Sequence, residues 1–205
     1  MLVVRRKKVG VRVRMKYFTQ LNNLPTYDLY TSLMELLENK TISWPQHTQI
    51  CLNTINNNSE DYVIGTGSLT HDWLNSYVET DEHGNNKTIV PEYETPLKES
   101  DFKFLCNQFI GTNFETVYNA LSKQYTLGRV RIMKSTSKTC LSWHRDTSSR
   151  IHYPIKTQPG CFMVIEDEVL YLESNKWYLT ETTFLHTAFN ASKEDRIHLV
   201  VTVLD

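Results

Sequence analysis

The chain has 205 residues, the length of one domain and enough to bury a core without disulfide or metal crosslinks. Charged residues make up 22% and hydrophobic residues 40% of it, a balance that argues against extended disorder. No run of 18 or more apolar residues occurs, so the sequence contains no candidate membrane-spanning helix. The formal net charge of −1 hides an uneven distribution along the chain.

The first 16 residues are strongly basic. They hold seven of the 22 lysines and arginines and no acid, so the rest of the chain carries 15 basic against 23 acidic residues. Such an arm could grip nucleic acid or an anionic lipid surface. It has no helical apolar stripe and no signal-peptide cleavage site, so we expect residues 1–16 to be a disordered tail, or an extension upstream of a start at Met15. Nucleic acid and membranes are therefore not expected as partners.

Two amphipathic helices are predicted in the first half of the chain. Between Asp28 and Asn39, leucines recur on one helical face. A second helix follows the capping-box pattern of Thr112 and Glu115 and ends before Gly128. The acidic stretch between these helices, residues 60–101, is interpreted as a solvated face or as a loop that covers the substrate.

The second half of the chain changes to short β-branched and aromatic segments separated by turn residues. The predicted strands are residues 129–133, 161–165, 169–172, 177–179 and 196–204. Many short strands with few helices favour a mainly β fold with flanking helices (α+β), a sandwich of the jelly-roll kind. We expect one domain over residues 17–205, with a helical buttress at 17–128 and a β core at 129–205.

The four cysteines, at positions 51, 106, 140 and 161, show no C-x-x-C spacing. With no secretion signal in the sequence, this pattern predicts free and mostly buried thiols in a reducing cytoplasm.

Two histidines and one aspartate form a candidate metal site. In an extended chain His144 and Asp146 point to the same side, with their Cα atoms about 7 Å apart. His186 follows forty residues after Asp146. Two imidazoles and one carboxylate on one face are the ligand set of non-haem iron(II) oxygenases. The motif alone is weak, because a strand histidine is more often a packed or surface residue.

A guanidinium in an apolar strand strengthens this interpretation. Arg196 lies ten residues after His186 and needs a partner, either a buried acid or a dicarboxylate ligand. Arg150 and His152 form a second basic pair with strand spacing. Iron with spare arginines suits 2-oxoglutarate, whose 2-oxo acid end would chelate the metal while its far carboxylate meets Arg196.

Residues 129–205 resemble the aspartyl/asparaginyl β-hydroxylase family of Fe(II)- and 2-oxoglutarate-dependent dioxygenases. The matching pieces are LSWHRD from Leu141, RIHYPI from Arg150, Gly160, HTAFNAS from His186 and RIHLV from Arg196. The chain as a whole is similar to short family members from marine bacteriophages, which implies the cytoplasm of a host cell as its location.

The resemblance implies a double-stranded β-helix, with the cupin-like jelly roll carrying the iron ligands His144, Asp146 and His186. It implies that Arg196 binds the distal carboxylate of 2-oxoglutarate, with Arg150 and His152 as further contacts. The implied reaction consumes O2 and 2-oxoglutarate, hydroxylates a C–H bond of the substrate, and releases succinate and CO2.

One residue departs from the enzymes that give the family its name, which carry glycine where Asp146 stands. Their substrates, Asp and Asn side chains of folded domains, therefore do not transfer directly. The substrate is expected to be an amino-acid side chain in a peptide or protein, or a free amino acid. Two alternatives stay open at this point: a catalytically silent jelly-roll binding protein, and a zinc hydrolase on the same three ligands.

Overall fold

The computed structural model describes residues 16–45, 48–73 and 75–204. The helices are α1, Leu29–Glu38, and α2, Asn113–Ser122. The strands in chain order are β1 Phe18–Leu21, β2 Gln49–Cys51, β3 Asn53–Thr54, β4 Tyr77–Thr80, β5 Asn86–Ile89, β6 Phe104–Leu105, β7 Leu127–Ser135, β8 Thr139–Cys140, β9 Arg150–Lys156, β10 Cys161–Ile165, β11 Glu168–Leu170, β12 Trp177–Thr180, β13 His186–Asn190 and β14 Arg196–Val203.

Strands β7 to β14 are divided between two antiparallel sheets. The large sheet has the order β1-β12-β9-β14-β7-β2, and the small sheet has the order β11-β10-β13-β8. Apart from the β10–β11 hairpin, consecutive strands from β7 onward alternate between the two sheets. This winding is a double-stranded β-helix, so the mainly β jelly-roll fold predicted from the sequence is confirmed.

Both helices begin at a polar cap and bury an apolar face. A carboxylate oxygen of Asp28 accepts a hydrogen bond from the amide of Thr31 at 3.0 Å, and the hydroxyl of Thr112 accepts one from the amide of Phe114 at 3.2 Å. The carboxylate of Glu115 accepts from the amide of Gly111 instead of that of Thr112, so the predicted capping box forms only in part. The apolar faces of the two helices pack into the main core cluster.

The central strand β14 separates this core from the interior of the β-helix. Its odd-numbered residues, Ile197, Leu199, Val201 and Val203, are buried in the same cluster as the two helices. Its even-numbered side chains face the opposite way, because strand side chains alternate between the two faces of a sheet. The large sheet therefore has the helical layer on one face and the interior of the β-helix on the other.

The segment expected to be a helical buttress also supplies strands. β1 and β2 extend the large sheet at its two edges by pairing with β12 and β7. The division at residue 128 stays a prediction of domain organisation. The expected tail falls almost entirely on residues 1–15, outside the described residues; the amide of Lys16 donates to the carboxylate of Glu168.

All four cysteines are free, and all but Cys140 are buried, as expected. Within the described ranges, no helix is long and apolar enough to cross a membrane.

Candidate active site

The two candidate histidine ligands face each other across the edge of the small sheet. The amide of His144 donates to the carbonyl of His186 at 3.1 Å, and the amide of His186 donates back at 2.9 Å. The centroids of the two imidazole rings are 4.2 Å apart. The amide of Asp146 donates to the carbonyl of Thr182 at 2.9 Å, which fixes the carboxylate beside the two rings. One donor atom from each of the three residues lies within 4.8 Å of the others.

The orientation of each ring suits metal binding. The Nδ1 atom of His144 lies 2.8 Å from the carbonyl of Ser142, and that of His186 lies 3.0 Å from the carbonyl of Phe184. A carbonyl can only accept, so each Nδ1 carries the proton and each Nε2 keeps its lone pair. Burial, followed by the nearby charges of His144 and Arg150, lowers the pKa of His186 and favours the neutral form that a metal requires. These residues fit an Fe(II) ion held by two imidazoles and one carboxylate.

A buried ion-pair chain reaches the aspartate. The Nε atom of Arg150 lies 3.3 Å from the Oδ2 atom of Asp146, and its Nη2 atom lies 3.2 Å from the Oε1 atom of Glu99. Glu99 also accepts from Arg129, at 2.8 Å between Oε1 and Nη2, and from the hydroxyl of Thr202. Burial alone would raise the pKa of Glu99, but the hydrogen bonds and charges of its arginines outweigh it and lower the pKa to about 2. Glu99 is therefore an anion that anchors Arg150 against Asp146.

A cavity of about 370 Å³ opens beside the three candidate ligands. Residues of four neighbouring strands form its wall on the large sheet, and the small sheet contributes Met163 and Ala188 besides the candidate ligand His186. The polar wall residues on the large sheet are Gln49 of β2, Arg129 and Arg131 of β7, Arg150 and His152 of β9, and Arg196 and His198 of β14. The interior of the β-helix is therefore a positively charged pocket that contains the candidate metal site.

Arg196 has no acidic partner in the described part of the chain. Only 9% of its surface is exposed, and no described residue forms a hydrogen bond with its Nε atom. Burial lowers the pKa of its guanidinium, so an anionic partner would stabilise the charged form. Of the two partners that the sequence allowed, the buried acid is not found among the described residues.

Two neutral histidines lie near Arg196. Burial and the charge of Arg196 lower the pKa of His152 to about 3 and hold that of His198 well below its usual range. Neither ring nitrogen of either residue has a hydrogen-bond partner among the described residues. Both residues line the cavity, and their ring nitrogens are buried.

The structure brings all six sequence-predicted site residues to one cavity: His144, Asp146, Arg150, His152, His186 and Arg196. Arg150, expected as a contact of 2-oxoglutarate, pairs with Asp146 and Glu99. Trp143, next to His144 in the chain, is 53% exposed.

Three further charged residues were missed as site residues. Glu99 belongs to the acidic stretch between the helices and gave no signal, because composition does not distinguish a buried acid from a solvated one. Arg129 and Arg131 did give a signal. Like Arg196, they are arginines in an apolar strand, and a buried guanidinium needs an anionic partner.

A double-stranded β-helix with a His, Asp, His ligand set at its mouth defines the class of non-haem iron oxygenases. Residues 84–205 match the family model described as aspartyl/asparaginyl beta-hydroxylase, and the chain belongs to that family. No curated protein sequence matches the chain.

Several solved structures are distantly similar to this one. A 2OG-Fe(II) oxygenase family oxidoreductase from Burkholderia pseudomallei is 11% identical, with 90% of this chain and 82% of that chain covered and a TM-score of 0.46. AviO1 from Streptomyces viridochromogenes is 10% identical, with 92% and 90% covered and a TM-score of 0.43. A cupin domain from Bordetella pertussis is 15% identical, with 38% and 81% covered and a TM-score of 0.34. The fold assignment rests on the strand order given above.

Proposed function

We propose that this protein is an Fe(II)- and 2-oxoglutarate-dependent dioxygenase that hydroxylates an amino-acid side chain in a peptide or protein, or a free amino acid. Its products besides the alcohol would be succinate and CO2. The observation that carries the proposal is one cavity that contains both a candidate metal site and a buried arginine. Three candidate metal ligands converge at one place in it, and the buried Arg196, which has no acidic partner among the described residues, lies at another.

The three ligands and Arg196 suit the two ends of 2-oxoglutarate. His144, Asp146 and His186 would hold the iron and leave coordination positions for other ligands. Bound iron would supply oxidative chemistry, in which O2 and 2-oxoglutarate are converted to succinate and CO2 as a C–H bond becomes an alcohol. Arg196 would pair with the distal carboxylate, because its planar fork matches a carboxylate and no described residue supplies it with an acid.

The remaining wall residues would orient the cosubstrate and restrict water. His152 and His198 are neutral and offer hydrogen-bonding nitrogens without adding charge. Met163, Ala188 and Val200 supply apolar surface. Arg150 would hold the carboxylate of Asp146 in place, which fixes one ligand in a position suited to the metal.

The test uses iron and 2-oxoglutarate added together without oxygen. We expect the weak visible charge-transfer band of an Fe(II)–2-oxo acid chelate, and release of succinate after air is admitted. Changing His186→Ala removes one ligand and should abolish both signals, whereas His83→Ala, in an exposed position, should change neither. Absence of the band in the unaltered protein, or its persistence in the His186→Ala variant, would refute the proposal. Metal analysis separates it from a zinc hydrolase.

A further inference from the structure

Arg131 is a cavity arginine to which the proposed function gives no role. Only 7% of its surface is exposed. Its Nη1 atom donates to the Oε1 atom of Gln49 at 3.0 Å, and its Nε atom has no hydrogen-bond partner among the described residues. The same oxygen of Gln49 accepts from the amide of Gly67. A shared, neutral amide oxygen does not neutralise a buried guanidinium.

The cavity has an excess of positive charge. Arg129, Arg131, Arg150 and Arg196 line it, and the carboxylates that pair with them are Glu99 and Asp146. A dipositive iron and the dianion of 2-oxoglutarate cancel each other. Within the described ranges, two positive charges therefore remain without a counter-charge after the cosubstrate has bound. Burial and the nearby charge of Arg129 lower the pKa of Arg131 to about 10, and the charge of Glu99 offsets them only in part.

One cosubstrate molecule cannot neutralise both unpaired arginines. When 2-oxoglutarate chelates a metal through its 2-oxo acid end, it has one other carboxylate to offer. Along β14, Arg196 lies opposite Ser135, and Arg131 lies opposite Val200. The two arginines are thus four residue positions apart along the sheet, about 13 Å at the usual strand rise. On the other side of Val200, β9 places His152 in the same row as Arg131.

We propose that Arg131, with Gln49 beside it, forms a second anion subsite that binds a carboxylate of the substrate. This inference rests on the proposed function and narrows its substrate to amino-acid compounds that carry a carboxylate. The subsite faces the same cavity as the metal ligands, so a carboxylate bound to Arg131 would hold the rest of the substrate near the oxidising centre. The guanidinium selects the acid because an amide in the same place would leave the charge of Arg131 unpaired.

The experiment compares acids with the corresponding amides. The protein is loaded with Mn(II) and 2-oxoglutarate, and calorimetry measures the binding of N-acetylated amino acids and of their amides. We expect the acids to bind at least 10-fold more tightly. In Arg131→Gln this preference should vanish, while the affinity for 2-oxoglutarate changes less than about 2-fold. Lys134→Gln, which removes a charge from the same strand at a position outside the cavity, should behave as the unaltered protein.

A second variant keeps Arg131 and gives it an anionic partner within the protein. Gln49→Glu places a carboxylate where the amide of Gln49 now lies, and the Oε1 atom of that amide is 3.0 Å from Nη1 of Arg131. It should remove the preference for acids and raise the melting temperature of the ligand-free protein. This variant tests the subsite even if Arg131→Gln does not fold.

The possible results distinguish a failure of the second subsite from a failure of the proposed dioxygenase function. If the unaltered protein binds no 2-oxoglutarate, the proposed function fails first. If 2-oxoglutarate binds but acids show no preference over amides, or if both variants keep that preference, the second subsite is refuted. Loss of 2-oxoglutarate binding in Arg131→Gln would assign Arg131 to the cosubstrate and would also overturn the inference.

Discussion

The arginines of the cavity wall are balanced in two different ways. Arg129 and Arg150 share the carboxylate of Glu99, so their charges are balanced by the fold. Arg196 is equally buried and has no such acid among the described residues. A charge left unpaired at a cavity wall destabilises the ligand-free protein and is stabilised by an anionic ligand.

Arg196→Gln should therefore weaken the binding of 2-oxoglutarate while metal affinity is retained. A charge-assisted pair with a carboxylate contributes roughly 1.5–3 kcal/mol, which corresponds to a loss of about 10- to 150-fold. Calorimetry with Mn(II) and with 2-oxoglutarate measures the two affinities separately. Lys193→Gln, in the exposed turn before β14, is the matched control. An equal loss of both affinities would mean that Arg196 supports the fold instead of the cosubstrate.

At the scale of the element, β14 carries two functions on its two faces. Leu199 is fully buried in the core beneath the helices, and Val200 lines the cavity. The strand is held between β7 and β9, so neither side chain can change face without breaking both pairings.

We expect Leu199→Ala to destabilise the protein by about 2–5 kcal/mol, because it leaves a hole in a packed core. Val200→Ala should cost less, because it only widens a cavity that already exists. Urea unfolding of the two variants measures the difference, and 2-oxoglutarate binding shows whether the folded Leu199→Ala protein retains its site. A larger cost for Val200→Ala would contradict this description of the two faces.

The strands that could be predicted from the sequence are those with a clear apolar pattern, and polar residues on the cavity face hide the others. β7, β10, β11, β12 and β14 were predicted because their apolar residues form runs or alternate. β9 was not among the predicted strands, since its cavity face carries Arg150 and His152 and this interrupts the apolar pattern. β8 has only two residues, too few for any periodicity, and its place is fixed by pairing with β13. The features hidden from the sequence are those that depend on long-range partners, as Glu99 does.

For the molecule as a whole, Glu99 links stability to pH. Its pKa is about 2 in the folded protein, below the ordinary value of 4.5. A carboxyl whose pKa is lowered by folding stabilises the folded state above the ordinary value, and this contribution is lost as the pH falls from about 4.5 towards 2. The contribution at neutral pH is on the order of 3 kcal/mol.

Glu99→Gln should lower the free energy of unfolding at pH 7 by a similar amount and flatten its dependence on pH below 4.5. Urea titrations from pH 7 to pH 3 measure both effects. Glu79→Gln, on the exposed strand β4, is the control and should follow the unaltered protein. A variant that keeps the full acid sensitivity would assign that sensitivity to other carboxyls.

The alternation of β14 has a consequence for how this protein can be altered. Substitutions at 196, 198 and 200 change the cavity, while substitutions at 197, 199 and 201 change the core, so a library restricted to the even positions can explore new ligands with the core sequence unchanged. Insertion or deletion of a single residue within the strand would exchange the two sets. Arginine and histidine would then face the helices, and leucine and valine the metal ligands, so fold and chemistry would be lost together.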